Sequence, residues 1–102
     1  MRDAAIEAIS FTANQSRESL DSDRMLTLAL VKEIEIIGEA AGRISAEGRA
    51  RYSQVPWAQI IGMRNRLTHA YFEVDLDIVW EVVTGDLPSL VVELEKIMAT
   101  ES

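Results

Sequence analysis

The chain has 102 residues, 48% hydrophobic and 26% charged, with a formal net charge of −7 and no cysteine. These figures fit one small domain over residues 1–102 with a modest core, and they exclude a disulfide framework and a thiolate metal site. No apolar run reaches the ~20 residues that span a bilayer as a helix. The start, MRDAAIEAIS, places Asp3 and Glu7 where a leader is apolar or basic, so a cytoplasmic protein with no membrane association is expected.

Helical spacing of Ala5, Ile6, Ile9 and Ala13 predicts a first helix over about residues 2–16. SRESLDSD is polar and reads as a connection, with Asp21, Ser22 and Asp23 as N-cap candidates. A long second helix follows, about residues 23–45. Leu26, Leu30, Ile37, Ala41 and Ile44 form one apolar stripe on it, and Leu28, Val31 and Ile34 lie off that stripe. So wide an arc packs against two neighbours, or against its own domain and a partner. Gly38 and Gly42 strip side chain from part of this helix. Each costs about 1 kcal/mol relative to alanine, and close approach of another helix is the expected compensation.

AEGRARYSQVP is expected to end the second helix and form a loop, with Gly48 as the breaker. Pro56 suits the first turn of a third helix, about residues 57–71, with Ile60, Ile61, Met63 and Leu67 apolar. Asp75 caps a fourth, about residues 76–84, with Ile78, Val79 and Val82 inward. Gly85 breaks or bends it. Pro88 opens a last segment, about residues 87–98, carrying Leu90, Val91, Leu94 and Ile97. No segment shows strand alternation, so the fold class is all-α, a bundle of four to five helices. Trp57 and Trp80 are expected as core or interface anchors, and Met25, Met63 and Met98 as core filling.

The stretch RNRLTHAY, residues 64–71, holds the only histidine, His69. It closes a locally basic segment. Residues 43–66 contain Arg43, Arg49, Arg51, Arg64 and Arg66 against Glu47 alone, a balance of +4, while the rest of the chain carries −11. Local charge sets the field in a cleft. On one helix, Asn65 and His69 would share a face, and Arg64, Thr68 and Tyr71 another, with Arg64 and His69 about 140° apart. Either the helix loosens near His69 or another element completes a site; two copies of the helix across a two-fold axis would line a groove.

Such a set can cleave RNA without a metal. Histidine can take the 2′-hydroxyl proton or protonate the leaving 5′-oxygen. Arginine offers a fixed fork of donors to phosphate oxygens as charge builds. Asn65 can hold the imidazole ring, and Tyr71 can stack on a base or donate to a phosphate. From the residue types alone, a lone histidine near a helix end is more often structural or solvated. One histidine, no cysteine and no nearby carboxylate until Glu73 make neither a metal site nor a cofactor site.

RNRLTHAY matches the Arg–x4–His–x–Tyr form of the HEPN superfamily motif. IIGEAAGRI at 36–44, VPWAQIIGMRNRLTHAYFEVDLDIVW at 55–80 and DLPSL at 86–90 resemble the HepT-like toxin subfamily along nearly the whole chain. That resemblance implies a HEPN-type homodimer acting as a metal-independent endoribonuclease, the toxin of a toxin–antitoxin pair. Arg64 and His69 become the catalytic pair at the dimer cleft, with Asn65 in support. The implied partner is a minimal nucleotidyltransferase (MNT) antitoxin, which can transfer AMP to Tyr71 and silence the toxin. The alternative is a non-catalytic helical nucleotide- or substrate-binding subunit of a nucleotidyltransferase, in which Arg64 and His69 bind phosphate. Arg66 is expected as an RNA-binding phosphate contact or an intersubunit ion pair. Arg43 and Arg49 either extend the RNA path or are surface charges, and Glu39 is a candidate ion-pair partner near the cleft.

Overall fold

The computed structural model describes the backbone of residues 1–66, 68–70 and 73–101, and side chains outside 64–74 and 101–102. Helix α1 spans Arg2–Phe11 and buries Ala5 and Ala8 completely. It stops earlier than the spacing predicts. Thr12 Oγ1 donates to the Ile9 carbonyl at 2.7 Å, and Asn14 takes a left-handed φ of 62°, which asparagine tolerates and a continuing helix does not. The polar connection then contains one helical turn, α2 (Ser19–Ser22), that pins Leu20 into the core.

Helix α3 (Arg24–Gly42) begins where Asp23 accepts from the Leu26 N–H at 3.0 Å, so one of the three expected N-caps is used. Leu30, Ile34, Ile37 and Ala41 are fully buried. The helix packs on α1 and on α5, the two-neighbour arrangement its wide arc requires. A Cβ on Gly38 would sit 3.5 Å from the Ile60 carbonyl oxygen, so α5 does approach there; nothing lies within 4 Å of one on Gly42.

The expected loop after α3 is partly helical. Ser45 caps a short α4 (Ala46–Arg51), its Oγ accepting from the Gly48 N–H at 3.1 Å. Gly48 is thus inside a helix and not its breaker. Arg49 donates to the carbonyls of Gly42 and Ile44, both at 3.1 Å, closing the C-terminus of α3. Helix α5 (Trp57–Arg66) follows Pro56, and Trp57 Nε1 donates to the Tyr52 carbonyl at 3.0 Å. Ile60 and Met63 are buried.

Helix α5 ends at Arg66, not at residue 71. Strand β1 (Thr68–Ala70) pairs antiparallel with β2 (Glu73–Val74). Thr68 and Val74, which face each other in the ribbon, are β-branched, a type that favours a pleated surface. The all-α class therefore holds apart from this ribbon.

Asp75 caps α6 (Leu76–Glu81) as expected, its Oδ1 accepting from the N–H groups of Asp77 and Ile78 at 3.0 and 3.2 Å. Gly85, expected to break or bend the helix, does not break it but lies in a local irregularity. A π-turn (Val82–Asp86) carries the chain directly into α7 (Leu87–Glu101). Val82 and Val83 in this turn are both fully buried, in one core with Val79 and Leu87. The described residues form four principal rods: α1, α3, α5 and the continuous α6–α7. Trp57 and Trp80 pack against the core and Met63 lies within it. Met25 and Met98, expected as core filling, are 82% and 53% exposed. Among the described residues no helix is long and apolar enough to cross a membrane.

One buried group is unlike the rest of the core. Glu33 on α3 is 7% exposed, and its Oε2 is buried with no hydrogen-bond partner. Burial first, and then the charge of Glu7 on α1 and a hydrogen bond with it, raise the Glu33 carboxyl above the ordinary carboxylate range. The folded state then holds this proton to a higher pH than the unfolded chain does. Stability should therefore fall as pH rises from the ordinary carboxylate value through the raised one. Glu33→Gln should flatten that decline and exceed the wild type in urea midpoint at neutral pH. Parallel, displaced midpoint-versus-pH curves for the two proteins would contradict the assignment.

Candidate active site

The motif straddles the junction of α5 and β1. Arg64, Asn65 and Arg66 form the last turn of α5, His69 is the middle residue of β1, and Tyr71 lies outside the described residues. The side chains of residues 64–74 lie outside them too, so the fold places these residues by backbone alone. Asn65 and His69 do not share a helical face, and neither do Arg64 and Thr68, because the helix has ended between them. Of the two expected alternatives, the helix loosening before His69 is the one observed. The rise per residue changes from about 1.5 Å to about 3.3 Å at that point. The register is also irregular between Thr68 and Ala70, at His69 itself. Irregularities of this kind re-aim a strand beside functional sites.

The junction is held from both sides. Upstream, Val55, Ile60 and Met63 are at most 2% exposed and fix α5 in the core. Downstream, the Asp75 cap and buried Val79 fix the start of α6. Arg17 adds a tie, its Nε donating to Asp77 at 2.6 Å and its Nη1 to Asp21 at 3.2 Å.

The basic segment divides by role. Arg49, expected either to extend the RNA path or to be a surface charge, instead donates to the α3 carbonyls. Arg51 is exposed and lies over the Tyr52 ring, 5.5 Å from its centre. Arg43 is exposed at the C-cap of α3. Glu39 is exposed and makes no ion pair with a described residue. No group of three or more His, Asp or Glu among the described residues is placed to hold a metal ion. Glu33 and the capping role of Arg49 were not evident in the sequence; the first depends on α1 lying opposite and the second on how the chain turns between α3 and α4.

The whole-chain pattern agrees with this framework. A profile described as "Ribonuclease HepT-like" matches residues 1–97, and the chain belongs to that family. It is 38% identical over 96 residues to "Putative RNase TTE0752" of Caldanaerobacter subterraneus, covering 94% of this chain and 80% of that protein. It is 37% identical over 94 residues to "Probable ribonuclease HepT" of Thermococcus cleftensis, covering 91% of this chain and 86% of that one. It also matches "Gamma-glutamylcyclotransferase and putative RNase MJ0434" of Methanocaldococcus jannaschii, 39% identical over 92% of this chain and 43% of that longer protein. No solved structure matches the chain significantly.

Proposed function

We propose that the chain is a metal-independent endoribonuclease, the toxin of a toxin–antitoxin pair. The observation that carries this reading is membership of the HepT-like ribonuclease family over residues 1–97, a span that includes RNRLTHAY intact. Arg64 binds and stabilises the phosphate as charge builds. His69 moves the proton of the 2′-hydroxyl or of the leaving 5′-oxygen. Asn65 supports the imidazole, and Arg66 contacts the RNA backbone. The helix–strand junction favours this assignment, because Arg64 and His69 need not project from one rigid helix.

We place the site at a homodimer cleft. On α3, Met25, Leu28 and Ile36 are spaced along one helical face and are 82%, 53% and 38% exposed, and Ile61 on neighbouring α5 is 36% exposed. The principal extents of 41 × 30 × 16 Å describe a thin slab. An apolar face on a slab this thin suits burial against a second copy. The antitoxin is an MNT-type nucleotidyltransferase that transfers AMP to Tyr71, adding bulk and negative charge two residues from His69.

Three experiments bear on this reading. Purified protein in EDTA should cleave RNA to 2′,3′-cyclic phosphate ends, and His69→Ala should lose roughly 10²–10⁴-fold in rate; cleavage by neither protein would favour the nucleotide-binding subunit instead. Leu28→Glu should convert a dimer to a monomer by light scattering with loss of cleavage, and an unchanged mass and rate would remove this face from the dimer. Co-expression with the antitoxin should add the mass of an AMP group to the wild type and none to Tyr71→Phe; an adduct on both would put the modification elsewhere.

A further inference from the structure

Helix α3 carries an outward stripe that the rest of the chain leaves uncovered. At 100° per residue, Met25, Leu28, Lys32, Ile36 and Glu39 fall within an arc of about 80°. All five are exposed. The arc lies opposite Leu30, Ile34, Ile37 and Ala41, the buried side of the helix. Lys32 and Glu39 carry opposite charges, and neither makes an ion pair or a side-chain hydrogen bond with a described residue. They do not pair with each other along the helix. They are seven residues apart, about 10.5 Å along the axis, and helix side chains pair at three or four.

A face with apolar residues and one free charge of each sign matches itself in one direction only. In a parallel pair about a two-fold axis each residue meets its own copy, so Lys32 would face a lysine and Glu39 a glutamate. In an antiparallel pair with the axis between residues 35 and 36, Lys32 of each copy faces Glu39 of the other. We propose that two copies of the chain pair through α3 in this antiparallel register, with Ile36 against Ile36 at the axis and a Lys32–Glu39 ion pair on either side. The proposal rests on the homodimer reading above and fixes its direction and register. Leu28 and Ile36 stand one turn to either side of Lys32, so the lysine stem lies on apolar surface while its ammonium reaches the other copy. The register also bears on the motif. The Ile60 and Ile61 carbonyls of α5 meet α3 at Gly38, about 4 Å along the helix from the proposed axis. Arg64 follows Ile61 by three residues, so each copy brings α5 to the height of the axis one turn before the motif.

The test is sedimentation equilibrium of the full-length wild type, Lys32→Glu, Glu39→Lys and the double reversal. Each single reversal sets like charges together at both pairs and should weaken the dimer at least about tenfold. The double reversal should restore the wild-type constant to within about threefold. Cross-linking supplies direction, because the chain has no cysteine. On mild oxidation Ile36→Cys should form a disulfide-linked dimer, whereas Met25→Cys should not, its two copies being about 30 Å apart in this register. A wild type that is monomeric at micromolar concentration would remove the homodimer reading and this register with it. A dimer unmoved by the single reversals, or not restored by the double, would overturn the register and leave the homodimer on another face. Cross-linking at Met25→Cys as readily as at Ile36→Cys would mean a parallel pair and would likewise overturn it.

Discussion

Helix α3 has to bury two sides at once, and the rest of the fold is arranged around that demand. Leu30, Ile34, Ile37 and Ala41 are inaccessible to solvent, each large side chain contributing about 1.5–3 kcal/mol on burial. Covering them takes α1 on one flank and α5 on the other. The α5 contact runs over Gly38, where the main-chain carbonyls of Ile60 and Ile61 come within 3.5 and 3.7 Å of where a Cβ would stand. That contact fixes the height of α5 along α3. It therefore fixes where the last turn of α5, with Arg64 to Arg66, emerges.

A second demand falls on the other long rod. Val79, Val82, Val83 and Leu87 all face inward, a wide apolar arc like the one on α3. The π-turn carries that arc from α6 into α7 without breaking the rod. Pro88 sits just after it, where its missing N–H falls in a turn whose ladder is already displaced. Gly85 is in the turn itself, exposed, where the absence of a side chain costs nothing in packing.

What the sequence made legible follows from how local each cause is. The caps at Asp23 and Asp75 were readable because a short acidic side chain meets N–H groups two or three residues away. The stripe of α3 was readable because helical periodicity is a property of the segment alone. The end of α5 was not, because Leu67 continues the apolar spacing while the ribbon that competes with it needs Glu73 and Val74 as partners. Glu33 reads as solvated in the run KEIE, and only the position of α1 makes it buried. Met25 reads as core filling because its spacing is right, yet α1 and α5 leave that flank of α3 uncovered. The site was legible as residue types and spacing, not as geometry.

Charge follows the same division between local and global. The −11 carried outside residues 43–66 would repel RNA from the body as a whole. Screening limits that repulsion to roughly 8–10 Å at ordinary ionic strength, so a phosphate at the α5–β1 junction responds mostly to the arginines beside it. Arg49 keeps its charge, but donors of its guanidinium are taken up by the carbonyls of α3. Arg64 and Arg66 stand on the turn that ends α5, next to the histidine strand. An acidic protein can therefore hold one RNA-attracting position while discouraging contact elsewhere, and the function proposed above puts that position where the helix gives way to the ribbon.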